Sequence, residues 1–251
     1  MDPMQAVILA GGLATRLLPK TLTIPKFLLP VAGRPFGMWL LERLASAGYG
    51  RALICIAHLG DAIREAIGDG RAFGIDVAYA DEGPALLGTA GALRKAAADL
   101  APTFLVTYGD SYLPFDYAAP LRTLEGVGDA DGVMAVFKNE GRWDKSNTRV
   151  RQDAKGELWV ERYEKGSDDP TLDHIDYGAM ALKREAILEV PAETPWGLDR
   201  IQAELSQRRR LRAHLAHARF FEIGSETGLS ELDQELAARP PRAPQPSKAK
   251  T

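Results

Sequence analysis

At 251 residues, 45% of them hydrophobic and 26% charged, the chain is long enough for one large core or two small ones, and its balance is that of a soluble globular protein. A net charge of −3 argues against a dedicated nucleic-acid binder, and the single cysteine, Cys55, excludes an internal disulfide and fits a reducing cytoplasm. No apolar stretch approaches the roughly 20 residues that cross a bilayer, and the opening MDPMQ lacks the basic and apolar regions of a signal peptide. The expectation is a cytoplasmic protein with no membrane or nucleic-acid partner, present as a monomer or small homo-oligomer.

In chain order, QAVILA, RALICIA, DVAYA and TFLVTY read as strands buried on both faces. Between them Phe36–Ala47, Asp61–Ile67 and Thr89–Leu100 carry Leu, Ile and Ala at helical spacing. Strand and helix in alternation imply βαβ units and a mainly parallel sheet. The second half changes character: GVMAVFK, TRVRQD, GELWVERY and HIDYGAMALK read as four strands that extend the sheet or cover one end of it. Helical patterns follow at Leu198–Arg208 and Thr227–Ala238, with the short strand RFFEI between them. The basic run Arg208–Arg210 with Arg212 reads as a solvated helix face. Cys55 reads as a buried, structural thiol. Residues 4–238 are expected to form a single domain in two parts, 4–115 and 116–238, with a disordered proline-rich tail over 239–251.

The most informative stretch is AVILAGGLATRLLPKTLTIPKFLLPV, Ala6 to Val31. In an open parallel sheet ligands bind beyond the carboxyl ends of the strands, and glycines there let backbone N–H groups approach a phosphate chain. Arg16 adds a planar, bidentate phosphate donor and Lys26 a point charge. A plain tight turn with two surface cations reads equally well from these residues alone. A Walker loop is excluded because no Gly-Lys-Ser/Thr triplet occurs, and a dinucleotide fingerprint because Pro19, Pro25 and Pro30 forbid a regular helix after Arg16.

The order strand, GGLATRL, PK, LLPVAGRP, helix resembles the sugar-1-phosphate nucleotidyltransferases, or nucleotide-sugar pyrophosphorylases. LGTAGALRKA resembles their base- and ribose-binding loop, LVTYGDSYL their strand ending in Gly-Asp, ERYEKG their sugar-phosphate glutamate–lysine pair, and IDYGAMAL the glycine-containing strand under the sugar. FFEIGSETGL resembles the late segment that carries a second metal carboxylate. The resemblance runs from about Gln5 to Leu236 and is similar to the short heptose-1-phosphate guanylyltransferase-like and muramate-1-phosphate uridylyltransferase-like members. Two residues depart from the family pattern: Ala14, where glycine is usual, and Glu222, where aspartate is usual.

The resemblance implies a Rossmann-like α/β fold and an Mg²⁺-dependent (Mn²⁺ as substitute) transfer that joins a sugar 1-phosphate to a nucleoside triphosphate and releases pyrophosphate, feeding cell-surface polysaccharide synthesis. It assigns Arg16, Lys26 and Asp110 to the reacting phosphates. Leu9, Ala10, Gly11, Gly12, Leu13, Ala14, Thr15, Glu82, Gly88, Thr89, Ala90 and Gly109 fall to the nucleotide. Asn147, Glu164, Lys165, Asp176 and Gly178 fall to the sugar phosphate, and Asp110 with Glu222 to the metal. Lys20 is expected to be a bystander, and Trp143 and His174 to lie at the sugar pocket, its rim or the core. A carboxylate at Glu82 accepts from guanine N1 and N2 or cytosine N4 and pairs less naturally with uracil; with the heptose guanylyltransferase-like resemblance this favours GTP, with UTP or CTP as the alternative. A nucleotide-sugar-binding regulatory protein without turnover is the alternative from another class. No hexapeptide repeat follows the last motif, so no fused acyltransferase domain is expected.

Overall fold

The computed structural model describes residues 2–83 and 86–238, so the expected tail lies outside the described residues. In chain order the elements are β1 (Gln5–Leu9), β2 (Pro30–Val31), β3 (Arg34–Pro35), α1 (Phe36–Ser46), β4 (Arg51–Ile56), α2 (Gly60–Ile67), β5 (Asp76–Asp81), α3 (Gly88–Lys95), β6 (Thr103–Tyr108), β7 (Ser111–Tyr112) and α4 (Ala119–Glu125). Then come β8 (Gly132–Lys138), β9 (Thr148–Gln152), β10 (Leu158–Tyr163), β11 (His174–Lys183), α5 (Arg184–Leu188), α6 (Leu198–Gln207), β12 (Leu211–Ala216), β13 (Phe221–Glu222) and α7 (Glu226–Ala237).

Among the described residues the main sheet has the order β5-β4-β1-β6-β11-β8-β12-β10-β9. Its first four strands run parallel, β11 runs antiparallel to both β6 and β8, and β12 pairs parallel with β8. This is the expected Rossmann-like, mixed and mainly parallel layer flanked by helices. The apolar runs explain it. Ala6, Val7 and Ile8 are fully buried, alternating between a core under α1, α2, α4 and α7 and a second core under α3, α5 and α6. The register places Leu9 beside Cys55 and Tyr108, so β1, β4 and β6 end level and the chain leaves all three on one edge. Cys55 lies inside this layer, and burial, with Glu82 adding, pushes its thiol up to about 12; it is structural, as expected.

Three short 3₁₀ turns, Thr15–Leu17, Lys20–Leu22 and Lys26–Leu28, replace any helix after β1, and Leu18–Pro19 is a cis peptide bond. The prolines impose this, since each removes a helical N–H and restricts the residue before it.

Two expectations need correction. The helix expected over Thr89–Leu100 ends at Lys95. The basic run is not a solvated helix face: α6 stops at Gln207, Arg209 adopts φ 56°, and Arg212 lies in β12, a strand the sequence pattern did not reveal. Arg210 forks onto Asp131 through two hydrogen bonds of 2.7 Å. Arg212, 6% exposed, bonds Asp129 and Glu157 and stacks over Trp159. A buried guanidinium group persists when carboxylates and an aromatic face replace water, and Arg212 has both.

Candidate active site

A cleft of about 240 Å³ opens where β1 and β6 end. Leu9, Ala10, Gly11, Gly12, Lys26, Glu82, Gly88, Thr89, Gly109 and Asp110 line it, together with Phe27, Leu86 and Tyr108. Its floor is held by backbone bonds: Ala10 N–H donates to Cys55 O and Gly109 N–H to Leu9 O, each at 2.9 Å. Gly11 lies directly against Glu82: a Cβ there would displace the tip of that carboxylate side chain. Gly12 faces open space, leaving its backbone free to approach a ligand. Leu13 is exposed, and Thr15 and Arg16 begin the first 3₁₀ turn. Ala14 takes the left-handed conformation, φ 50° and ψ 40°, and its carbonyl accepts from the Thr21 hydroxyl at 2.9 Å. That conformation is what a glycine at this place would adopt without strain.

Charge gathers at one end of the cleft. Lys26 Nζ lies 2.8 Å from Asp110 Oδ2, with both side chains mostly shielded. Asp110 O accepts from Ile223 N–H at 2.9 Å, and β13 pairs with β7 so that Glu222 stands opposite Ser111, one residue from Asp110. Glu222 is exposed and stands beside the cleft rather than in its lining; desolvation by the protein around it, with the Asp110 and Asp144 carboxylates adding and Arg16 and Lys26 opposing, raises its carboxyl above the usual range. Arg16 reaches the same place: a Cβ on Gly224 would lie 3.1 Å from its Nη2 and 3.8 Å from Lys26 Nζ. Lys20 turns away and pairs with Glu226 at 2.7 Å on the surface.

Among the described residues no group of three or more His, Cys, Asp or Glu side chains is placed to hold a metal. Asp110 and Glu222 nevertheless suit a hard divalent cation that takes its remaining ligands from water and phosphate. They supply oxygen donors from neighbouring strands, and their mutual repulsion is what such a cation relieves.

The other end of the cleft carries Glu82. Burial raises its carboxyl above the usual range, against a hydrogen bond from the Leu87 amide and the charge of Lys95. Beside it, α3 begins at Gly88 with its first turn joined to a distant loop. Ala90 and Gly91 both donate to Trp196 O, Trp196 N–H donates to Leu87 O, and Leu198 N–H donates to Thr89 Oγ1 at 2.7 Å. Gly88 and Thr89 therefore face the cleft while Ala90 is fully buried.

The residues assigned to the sugar phosphate come from three segments, before β9, after β10 and within β11. Asp176 N–H donates to Asn147 Oδ1 at 2.9 Å. Its carboxylate accepts from Gly178 N–H at 2.9 Å and from Gln202 Nε2 at 2.6 Å. Desolvation raises the Asp176 carboxyl, against those bonds and Lys165. Gly178, at φ 96°, sits in the irregular register between Asp176 and Met180. Glu164 and Lys165 line an adjoining groove of about 340 Å³ between β10 and α6; Glu164 pairs with Arg162. Trp143 stays exposed with Arg219 stacked 3.9 Å from its ring centre. His174 bonds Asp173 at the start of β11.

Four residues near the site were not nominated from sequence: Tyr108, Asp144, Trp196 and Gln202. Tyr108 adjoins the Gly109-Asp110 pair and could have been found there. Gln202 and Trp196 act through contacts 26 and 109 residues away in sequence, which no local pattern reveals.

A Rossmann-like sheet with a glycine loop, paired cations and two carboxylates at its strand ends defines a nucleotide-handling transferase fold. The nucleotidyl transferase family model matches residues 5–190, and the chain belongs to that family. It is 43% identical over 125 residues to the N-acetylmuramate alpha-1-phosphate uridylyltransferase of Neisseria meningitidis serogroup B, covering 49% of this chain and 54% of that protein. It is 28% identical over 189 residues to the mannose-1-phosphate guanylyltransferase of Mycobacterium tuberculosis, covering 75% of this chain and 51% of that one. The chain thus spans about half the length of these curated relatives. HddC from Yersinia pseudotuberculosis, solved with GMP-PN, shares the fold with a TM-score of 0.70 and 24% identity over 93% of this chain and 99% of that one.

Proposed function

We propose that the chain joins a sugar 1-phosphate to a nucleoside triphosphate and releases pyrophosphate. The observation that carries this reading is the meeting of Arg16, Lys26, Asp110 and Glu222 at the end of a glycine-floored cleft, with the Asn147–Asp176–Gln202 network beyond. A sugar phosphate oxygen attacks the α-phosphorus, the bond to the β-phosphate breaks, and pyrophosphate leaves. Both reactants are polyanions, so the chain's task is positioning and charge compensation. Gly11, Gly12 and Arg16 hold the departing phosphates, Lys26 compensates charge at the reacting one, and Lys165 anchors the sugar phosphate. Asp110 and Glu222 would hold Mg²⁺ or Mn²⁺, which when bound supplies further positive charge to the phosphates. Such a reaction suits the cytoplasm, where triphosphates are abundant; among the described residues no helix is long and apolar enough to cross a membrane.

For the base we favour guanine. As a carboxylate, Glu82 offers two acceptors to guanine N1–H and N2–H, and it lies in the cleft beside Gly11. UTP is the second reading, supported by the uridylyltransferase relative. Pyrophosphate release with ATP, CTP, GTP, UTP and dTTP against a panel of sugar 1-phosphates tests both levels. Turnover is expected with a divalent cation, with the highest kcat/KM for GTP. A higher value for UTP or CTP sinks the guanine assignment, and binding without turnover leaves a regulatory nucleotide-sugar binder.

A further inference from the structure

The wall between the two halves of the cleft ends in a phenol that the proposed chemistry does not use. Tyr108 is the last residue of β6, immediately before Gly109 and Asp110. It lines the main cleft with Lys26, Thr89 and Asp110, and it also lines a small gap with Asp176, Gly178 and Gln202. Its ring packs over Gly178, where even a Cβ would sit in ordinary contact, 3.6 Å from a ring carbon. The Asp176 carboxylate, a hydrogen-bond acceptor, shares the gap with it. Among the described residues no hydrogen bond involves its hydroxyl, although the residue keeps partial access to the cleft. The hydroxyl oxygen is not one of the buried side-chain atoms left without a partner, so it stays open to whatever enters the cleft, and a phenylalanine would fill the same space without that polar tip. The partner is therefore sought in what enters the cleft.

We propose that Tyr108 is a specificity-determining residue that reads a ring hydroxyl of the sugar, which rests on the sugar 1-phosphate reading above. The phenol O–H donates to the sugar hydroxyl oxygen, and that hydroxyl donates its own proton to the Asp176 carboxylate. Asp176 has room for it, because Gly178 N–H and Gln202 Nε2 occupy one lone pair on each of its two oxygens. The sugar is the target because the gap that Tyr108 shares with Asp176, Gly178 and Gln202 is lined by neither Glu82 nor the glycine loop. A hydroxyl held between a donor and an acceptor is discriminated far more sharply from its deoxy analogue than an apolar contact allows.

The test is Tyr108→Phe, which keeps the ring and hence the packing; an unchanged thermal melt confirms the fold. With the best substrate pair, KM for the sugar 1-phosphate is expected to rise about tenfold while kcat and the triphosphate KM stay within about twofold. On monodeoxy sugar 1-phosphates, the penalty should vanish for the one analogue that lacks the hydroxyl being read. Unchanged kinetics, a rise in triphosphate KM instead, or an equal penalty on every deoxy analogue would each overturn the assignment. If the wild type releases no pyrophosphate from any pair, the proposed function fails, and calorimetric titration with the same sugar 1-phosphates still decides. About tenfold weaker binding by the variant supports Tyr108 as the reader, whereas equal affinity, or no binding by either protein, overturns it.

Discussion

On the nucleotide side of the cleft the groups that face a ligand are largely backbone, presented where adjoining parallel strands end together. Gly11, Gly12, Gly88 and Gly109 expose main chain there, and the strands behind them are fully buried and fixed in register. On the sugar side the groups are side chains that hold one another from distant segments: Asn147 before β9, Asp176 in β11 and Gln202 in α6. A backbone site depends on where glycine is allowed, whereas a side-chain site depends on every partner in the chain of bonds. The first tolerates substitution around it and the second propagates damage.

That contrast can be broken most severely where the halves meet. Asp110→Asn should lower kcat/KM on the order of 10³-fold with either substrate varied, while leaving the melting temperature nearly unchanged; retained cation-dependent turnover would refute the metal-ligand role. Gln202→Leu should act on one side alone. It removes the 2.6 Å bond to Asp176 and also the buried Gln202 Oε1, which lacks a partner, so KM for the sugar phosphate should rise about tenfold with no loss of stability. An equal rise in triphosphate KM would show that the halves are not separable.

A gentler probe of the nucleotide side is pH. Burial raises the folded pKa of Glu82, so its carboxylate form is lost as pH falls toward that raised value, at a higher pH than for a free glutamate. The carboxylate pairs with guanine N1–H and N2–H, whereas the neutral acid, one donor and one acceptor, matches uracil N3–H and O4. The GTP-to-UTP ratio of kcat/KM should therefore fall several-fold, roughly 1 kcal/mol of discrimination, as pH is lowered from about 8 to about 5.5. A ratio independent of pH, or one left unchanged by Glu82→Gln, would remove the carboxylate from base selection.

The smallest expected effect lies in the glycine loop. Ala14→Gly relieves a left-handed alanine and should stabilise the protein by roughly 0.5–1 kcal/mol after the entropy of glycine is subtracted, about 2–4 °C in Tm at most for a chain of this size. Scanning calorimetry checks it. A lower Tm would mean that the alanine methyl makes a favourable contact.

The same division decides how much was legible in the sequence. The parallel strands are read from contiguous apolar runs, and the glycine loop, Lys26 and Asp110, singled out by motif resemblance, are brought to one cleft. Glu222 was reached only through motif resemblance, because an isolated glutamate after FF has no local signature. Gln202 was hidden in an amphipathic helix, where glutamine looks like a solvent-facing residue until burial at 1% exposure shows otherwise. Arg212 was misread for the opposite reason. Four arginines within five positions look like a solvated face, yet a left-handed turn at Arg209 breaks the helical phase and carries the last of them into the sheet.

The stretch from Trp196 to Gln202 touches both halves at once. Its first residue caps α3 through a carbonyl shared by two N–H groups, and its last restrains Asp176. Gly88 has no room for a Cβ against the Trp196 carbonyl, which would lie 2.8 Å away, so that joint has little play. In the proposed reaction, two reactants that must meet at bonding distance would be gauged by one short, mostly helical rod, whose length is set at about 1.5 Å per residue. The segment works as a caliper. Lengthening it by a single residue would change the separation of the two half-sites without altering any group that touches a substrate.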